Sequence, residues 1–142
     1  MPKPKKITTY ILLFLICSLS FAEEVSSISI KTRKDIIANF PRTGLNTTPE
    51  DAMMLRILVE SRNALRGIEV GSATGYGAIQ MGIAFERTGG HLFTLEIDPE
   101  MVKTCREYIE KMGLEKSVTC VEGDALKTLP ELEGEFDFVF ID

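Results

Sequence analysis

Beyond its first six residues the 142-residue chain has no cluster of lysine and arginine, and its formal charge is -5. Phosphate affinity comes from clustered cations that shed counterions on contact, so this composition argues against a nucleic-acid surface. Cysteine is scarce as well, at three residues. Cys105 and Cys120, the two beyond the N-terminal segment, are too few for a disulfide framework and lack the paired spacing of a zinc site. Both read as core thiols; a bridge would need their Cβ atoms to meet in the fold, and nothing in the sequence requires it. His91 is the only histidine, and its place at the start of an apolar run makes it a strand-edge residue rather than a catalytic base. Internal repeats and low-complexity tracts are absent. No apolar run reaches the roughly 20 residues of a membrane-spanning helix. At 44% hydrophobic residues, the composition is that of one globular domain.

What is present begins with the N-terminus. MPKPKK carries three lysines and precedes an apolar run from Tyr10 through Leu15 to Ile16, Cys17, Leu19 and Phe21. That run, about 12 residues, is too short to span a bilayer, and Ser20-Phe21-Ala22 places small residues where a signal peptidase reads. Residues 1–22 are therefore expected to be a signal peptide, the mature protein exported to a periplasmic or extracellular space and left without a stable membrane span. An uncleaved anchor or a misassigned start codon is the alternative; acylation at Cys17 is disfavoured by the bulky Leu15 and Ile16 before it. Removing three lysines and no acid from a charge of -5 leaves -8. A polar arm, residues 23–44, follows, with a little helical character over Asp35 to Phe40, and is expected to be a loose arm or lid.

Thr48-Pro49-Glu50-Asp51 has the signature of a helix start, a capping hydroxyl followed by proline at the first helical position and a carboxylate three residues on. Met54, Leu55, Leu58 and Val59 recur at helical spacing to about Arg62 and mark an apolar face. From residue 64 short apolar strands alternate with amphipathic helices. The strands are expected at Arg66 to Val70, His91 to Ile97, Ser117 to Glu122 and Phe136 to Ile141. Helices are expected from Tyr76 to Arg87, with Ile79, Ile83 and Ala84 inward, and from Pro99 to Met112, with the stripe Val102, Cys105, Ile109 and Met112. A shorter one spans Ala125 to Leu132 and carries Pro130 near its end. Strand–helix alternation predicts an α/β fold, a doubly wound parallel sheet with right-handed crossovers.

Ligands of such sheets bind outside the carboxyl ends of the strands, where glycines let the backbone approach a cofactor. Gly71, Gly75 and Gly77 occupy the turn after the first strand. A dinucleotide fingerprint would need a small residue where Gln80 stands, and Glu69 precedes the first glycine, so another nucleoside cofactor fits better. Glu96, at the end of the second strand in TLEID, can accept ribose hydroxyl protons, a feature shared by NAD and S-adenosylmethionine. Asp124, in Gly123-Asp124-Ala125 after the third strand, can accept from an adenine amino group or cap the following helix, and the two roles can coexist.

IEVGSATGYGAIQM, LEIDPE, GLEKSVTCVEGDALKTLP and FDFVFID occur in one order. As a set they resemble class I S-adenosylmethionine-dependent methyltransferases, specifically the O-methyltransferase family that includes catechol and caffeoyl-coenzyme A methyltransferases. The resemblance covers about Leu45 to Asp142, and residues 45–142 are expected to be the N-terminal part of a Rossmann-like methyltransferase domain, truncated after the fourth strand. It implies that Glu69 helps hold the methionine end of the cofactor, that Gly71 and Gly75 lie beneath it, that Glu96 binds the ribose, and that Asp124 with Ala125 stands on the adenine side. Ser72, Tyr76, Gly77, Ile97 and Gly123 complete the expected cofactor set. In metal-dependent members the acid closing the fourth strand ligates magnesium or another divalent ion, and that position is Asp142.

The family commonly has serine where this chain has Gly77. It also continues past the fourth strand with a lysine, an Asp-Asn pair and a final hairpin that supply the base, further metal ligands and much of the acceptor pocket. The expected function is O-methyl transfer to a small hydroxylated acceptor, with this chain a fragment that binds cofactor weakly, if at all, and does not turn over by itself. A homodimer is the expectation for the full-length protein. The alternatives are an NAD-dependent oxidoreductase domain and a noncatalytic cofactor-binding remnant.

Overall fold

Short runs of apolar residues flanked by glycine and acid make the strands of this computed structural model, which describes residues 28–142. The expected signal peptide and the first residues of the polar arm lie outside the described residues. The chain enters through α1 (Ile30–Ala38) and α2 (Pro49–Arg62), then alternates β1 (Arg66–Val70), α3 (Tyr76–Thr88), β2 (His91–Glu96), α4 (Pro99–Lys111), β3 (Val118–Glu122), α5 (Ala125–Thr128) and β4 (Phe138–Ile141). All strand pairs are parallel and the order is β3-β2-β1-β4. The chain thus steps outward from β1 to β3, then returns across the sheet to place β4 on the other side of β1. The crevice between β1 and β4 is the switch point at which such sheets hold ligands.

The expected strands and helices all occur, with shifts of a residue or two at their ends. Ile97 lies beyond β2 and is 67% exposed. Phe136 and Asp137 stay out of β4 because the Asp137 carboxylate accepts from the backbone N–H groups of Leu65 and Arg66, both at 2.9 Å. The short helix expected to Leu132 is shorter still: Pro130 turns it into a 3₁₀ turn at Leu129–Glu131. The stripe Val102, Cys105, Ile109 and Met112 is buried, as are Ile79, Ile83 and Ala84. His91 behaves as a strand-edge residue, its ring nitrogens bonded to the Lys116 carbonyl and the Thr119 hydroxyl.

Two expectations fail. On α2, Met54 is 56% exposed and Leu58 44% exposed. The buried residues are Ala52 and Val59, with Leu55 half-buried between them. Apolar side chains surround this helix, so their spacing alone did not select a face; small Ala52 lets α2 approach α3, and Arg56 reaches Gln80 from the same side. The described part of the arm, residues 28–44, is likewise no loose segment. Arg33 on α1 donates to the Glu86 carboxylate on α3, and its Nε and Nη2 also donate to the carbonyls of Met112 and Gly113, at 2.8 and 3.3 Å. Phe40 follows into the core, its ring 5.2 Å from that of Tyr76 and 4.2 Å from that of Tyr108. Replacing Arg33 by alanine is expected to release α1 alone: amide exchange over Ile30–Ala38 will speed up at least about tenfold while the β1 amides stay protected.

Candidate functional site

The turn from β1 into α3 bends back over the end of β2. The N–H groups of Gly71 and Ser72 both donate to the Leu95 carbonyl, at 2.9 and 3.2 Å. Three of its residues have left-handed backbone: Gly71 (φ 91), Ala73 (φ 45) and Gly75 (φ 95). Glycine is required at Gly75 on two counts, since a Cβ there would also stand 2.8 Å from Cys105 Sγ. Gly75→Ala is expected to cost about 2–4 kcal/mol of stability, read as a lower urea midpoint. Ala73 holds its strained conformation without glycine because its N–H donates, at 2.8 Å, to Glu96.

Glu96 is the pin of the site. Its Oε2 accepts from Ala73, and its Oε1 accepts from the N–H groups of Ile97 and Asp98 at 2.8 and 3.0 Å. Of the roughly four acceptor positions on a carboxylate, three are filled and about one stays open. The β3 end is tied to the same place, because Gly123 N donates to the Glu96 carbonyl at 2.8 Å. Asp124 next to it caps α5, its carboxylate accepting from Leu126 N at 3.0 Å. The capping role is therefore present, and Gly123, Asp124 and Ala125 line up with Glu96 and the exposed side chain of Ile97 along one rim.

Glu69 lies deeper, 1% exposed. Thr94 donates to its Oε2 at 2.5 Å, while Oε1 has no hydrogen-bond partner. Burial pushes this carboxyl up to about 8; the Thr94 bond opposes the shift and the charge of Asp142 adds to it. Gly77 explains its own departure from the family pattern: a Cβ at this position would stand 2.6 Å from Glu69 Oε1 and 3.0 Å from Thr47 Oγ1. The missing side chain is the space that the acid fills. Tyr76, by contrast, turns its ring toward Phe40 and under Arg42, whose guanidinium is 5.5 Å from the ring centre.

Asp142 closes the crevice from the β4 side. Its N–H donates to the Val70 carbonyl at 3.0 Å, and Thr47 Oγ1 donates to its Oδ2 at 3.2 Å. Asn46 and Thr47 are site residues that sequence reasoning missed, since no spacing or motif marked them beside the capping Thr48. Asn46 accepts from the Thr74 hydroxyl at 2.9 Å and so ties the segment before α2 to the glycine loop. Beyond Asp142 lies a cavity of about 420 Å³, walled by Asn46, Thr47, Asp51, Met54, Leu55 and Phe140. Glu69 Oε1 and Asn46 Nδ2 are both buried without a partner among the described residues, two polar atoms with bonding capacity to spare. No group of three or more His, Cys, Asp or Glu residues placed to hold a metal ion occurs among the described residues.

Fold and site together define a Rossmann-like α/β domain with an acid-lined crevice at the switch point of its sheet. An O-methyltransferase family model matches residues 21–142, and the chain belongs to that family. It is 32% identical over 107 residues to an O-methyltransferase of Aspergillus thermomutatus, covering 75% of this chain and 45% of that protein. Identity to a catechol O-methyltransferase of Niastella koreensis is 32% over 102 residues, 69% of this chain and 46% of the relative. A methyltransferase of Podospora anserina solved with SAH bound superposes with a TM-score of 0.68 at 26% identity, over 100% of this chain and 60% of that one. An O-methyltransferase of Bacillus cereus in complex with SAH gives 0.68 at 25% identity, over 87% and 59%. The chain spans about half the length of the curated relatives it matches. These relatives are methyltransferases, and they lend the oxidoreductase alternative no support.

Proposed function

We propose that the chain binds S-adenosylmethionine in the crevice between the Gly71–Gly75 loop and Asp142, and that it serves methyl transfer to a hydroxyl of a small acceptor. The observation that carries this reading is Glu69, a buried acid with an unpartnered oxygen under the loop. A cofactor bearing a cationic amino acid end favours the ionised form of that acid and gains from it; a pyrophosphate gains nothing from it in either form. Glu96 then takes a ribose hydroxyl on its remaining acceptor position. Ile97 offers the base an apolar surface, and the Asp124 carboxylate accepts from its amino group while still capping α5.

When bound, the cofactor supplies an activated sulfonium methyl. The residues of this chain orient donor and acceptor rather than generate a reactive group. The 420 Å³ cavity beside Asp142 offers an acceptor an apolar wall in Met54, Leu55 and Phe140, with oxygen ligands at its mouth. Magnesium or another divalent ion, which the resemblance would place on Asp142, needs several oxygen ligands. Asp142, with only Thr47 on its carboxylate, does not meet that need among the described residues.

Isothermal titration of the purified chain with SAH and, separately, with NAD tests the reading. Heat with SAH that saturates at one site, and none with NAD, is expected; saturation by NAD alone overturns it. Export through residues 1–22 is a separate proposal supported by their composition alone. Mass analysis of the mature N-terminus decides it, with an intact Met1 in the cytoplasmic fraction as the adverse result.

A further inference from the structure

Beneath the glycine loop the fold brings together two thiols that lie 15 residues apart in sequence. Cys105 on α4 and Cys120 on β3 are both free and buried. Arg106, the neighbour of Cys105, donates from Nε and Nη2 to the Cys120 carbonyl at 3.2 and 3.1 Å, so this turn of α4 sits directly on this point of β3. Cys120 is in register with Thr94 of β2, which reaches Glu69, so it points to the helix-covered face of the sheet. Both side chains belong to the one buried cluster where α4 packs on β3, close enough that each shifts the ionisation of the other. From above, Cys105 Sγ packs into the space under Gly75. An open groove of about 360 Å³ between α4 and β3, lined by Arg106, Ile109, Val118, Thr119 and Cys120, reaches Cys120 from the surface, while Cys105 lies behind it, wholly buried.

We propose that Cys105 and Cys120 form a disulfide site, closed by a small peroxide that enters along this groove. Cys120 supplies the thiolate: the hydrogen bond from Cys105 lowers its pKa against the effect of burial, with help from Ser72 and Arg106. Cys105 stays a thiol, raised by the same bond and by burial. The Cys120 sulfur attacks one peroxide oxygen, the O–O bond breaks, and the departing hydroxide takes up the proton that Cys120 released, giving water and a sulfenic acid. Cys105 sulfur then displaces the sulfenic hydroxyl, which leaves as a second water with the Cys105 proton. Two thiols lose two electrons in all, and one peroxide becomes two waters. The bond joins α4 to β3 directly below Gly75, and it constrains the unfolded chain more than the native one.

The test uses the whole chain with Cys17→Ser, which leaves only this pair. After hydrogen peroxide, both thiols should become unreactive and the mass should fall by about 2 Da. Tryptic fragments carrying Cys105 and Cys120 should be joined until a reductant is added, and Tm should rise by about 5 °C or more. Cross-linking between chains, or sulfinic acid at Cys120 with Cys105 still reactive, overturns the proposal. A second variant, Cys105→Ser, removes the resolving thiol and should accumulate sulfenic acid at Cys120 that a cyclic dione traps. Equal trapping with and without Cys105 is the other adverse result.

Discussion

Glu96→Ala will weaken SAH binding on the order of 100-fold, the worth of one or two charge-assisted hydrogen bonds, and will destabilise the chain by about 2–4 kcal/mol. Both effects have one origin. The carboxylate accepts three backbone N–H groups, from Ala73, Ile97 and Asp98. Without it those donors face the crevice unpaired, and Ala73 loses the bond that offsets its left-handed backbone. Titration calorimetry reads the affinity and urea unfolding the stability. A variant that binds SAH like the parent would mean that Glu96 only shapes the loop and does not touch the ribose. Glu96→Gln sharpens the comparison, because it keeps an acceptor oxygen but turns an N–H toward another N–H.

Glu69 predicts the second large effect, and its sign is fixed by the direction of the shift. Its carboxyl is pushed from 4.5 up to about 8 by burial. The folded chain therefore holds a proton that the unfolded chain releases, and stability should fall as pH rises from about 4.5 to about 8. A cationic ligand end beside Glu69 favours the carboxylate instead. SAH binding near pH 7 should then release a proton, and affinity should climb with pH until it levels off near 8. Calorimetry in buffers of different ionisation enthalpy measures that proton directly. Glu69→Gln removes both dependences: its unfolding midpoint should be flatter between pH 5 and pH 8, and its binding should release no proton. If the parent chain binds with no proton released at pH 7, Glu69 does not meet the cationic end of the ligand.

Much of the site is legible in the sequence because it is built from local geometry. Gly71 and Gly75 stand out as turn glycines, and they have the left-handed backbone that such a turn needs. Glu96 closes its strand with both oxygens held by nearby backbone. Asp124 reads as a cap or an adenine partner, and the cap is present. Gly77 is the opposite case. In the sequence it reads only as a departure from a family pattern that has serine, yet in space it is the room taken by Glu69, a residue eight positions earlier on another element. Asn46 and Thr47 carry no signal because their roles depend on Thr74 and Asp142, reached only when the chain folds back.

By itself the amino-acid sequence determined the order of strands and helices, the parallel α/β class, the glycine loop and the acids at the strand ends. Each of these follows from a period, a turn conformation or a cap that spans a few residues. Tertiary structure decided the face that α2 buries, the docking of α1 through Arg33, the burial of Cys105 and Cys120 in one cluster, and the raised carboxyl of Glu69. All four depend on what a residue meets from a distant part of the chain. Burial and the loss of water that comes with it are set by that meeting, and no local pattern encodes it.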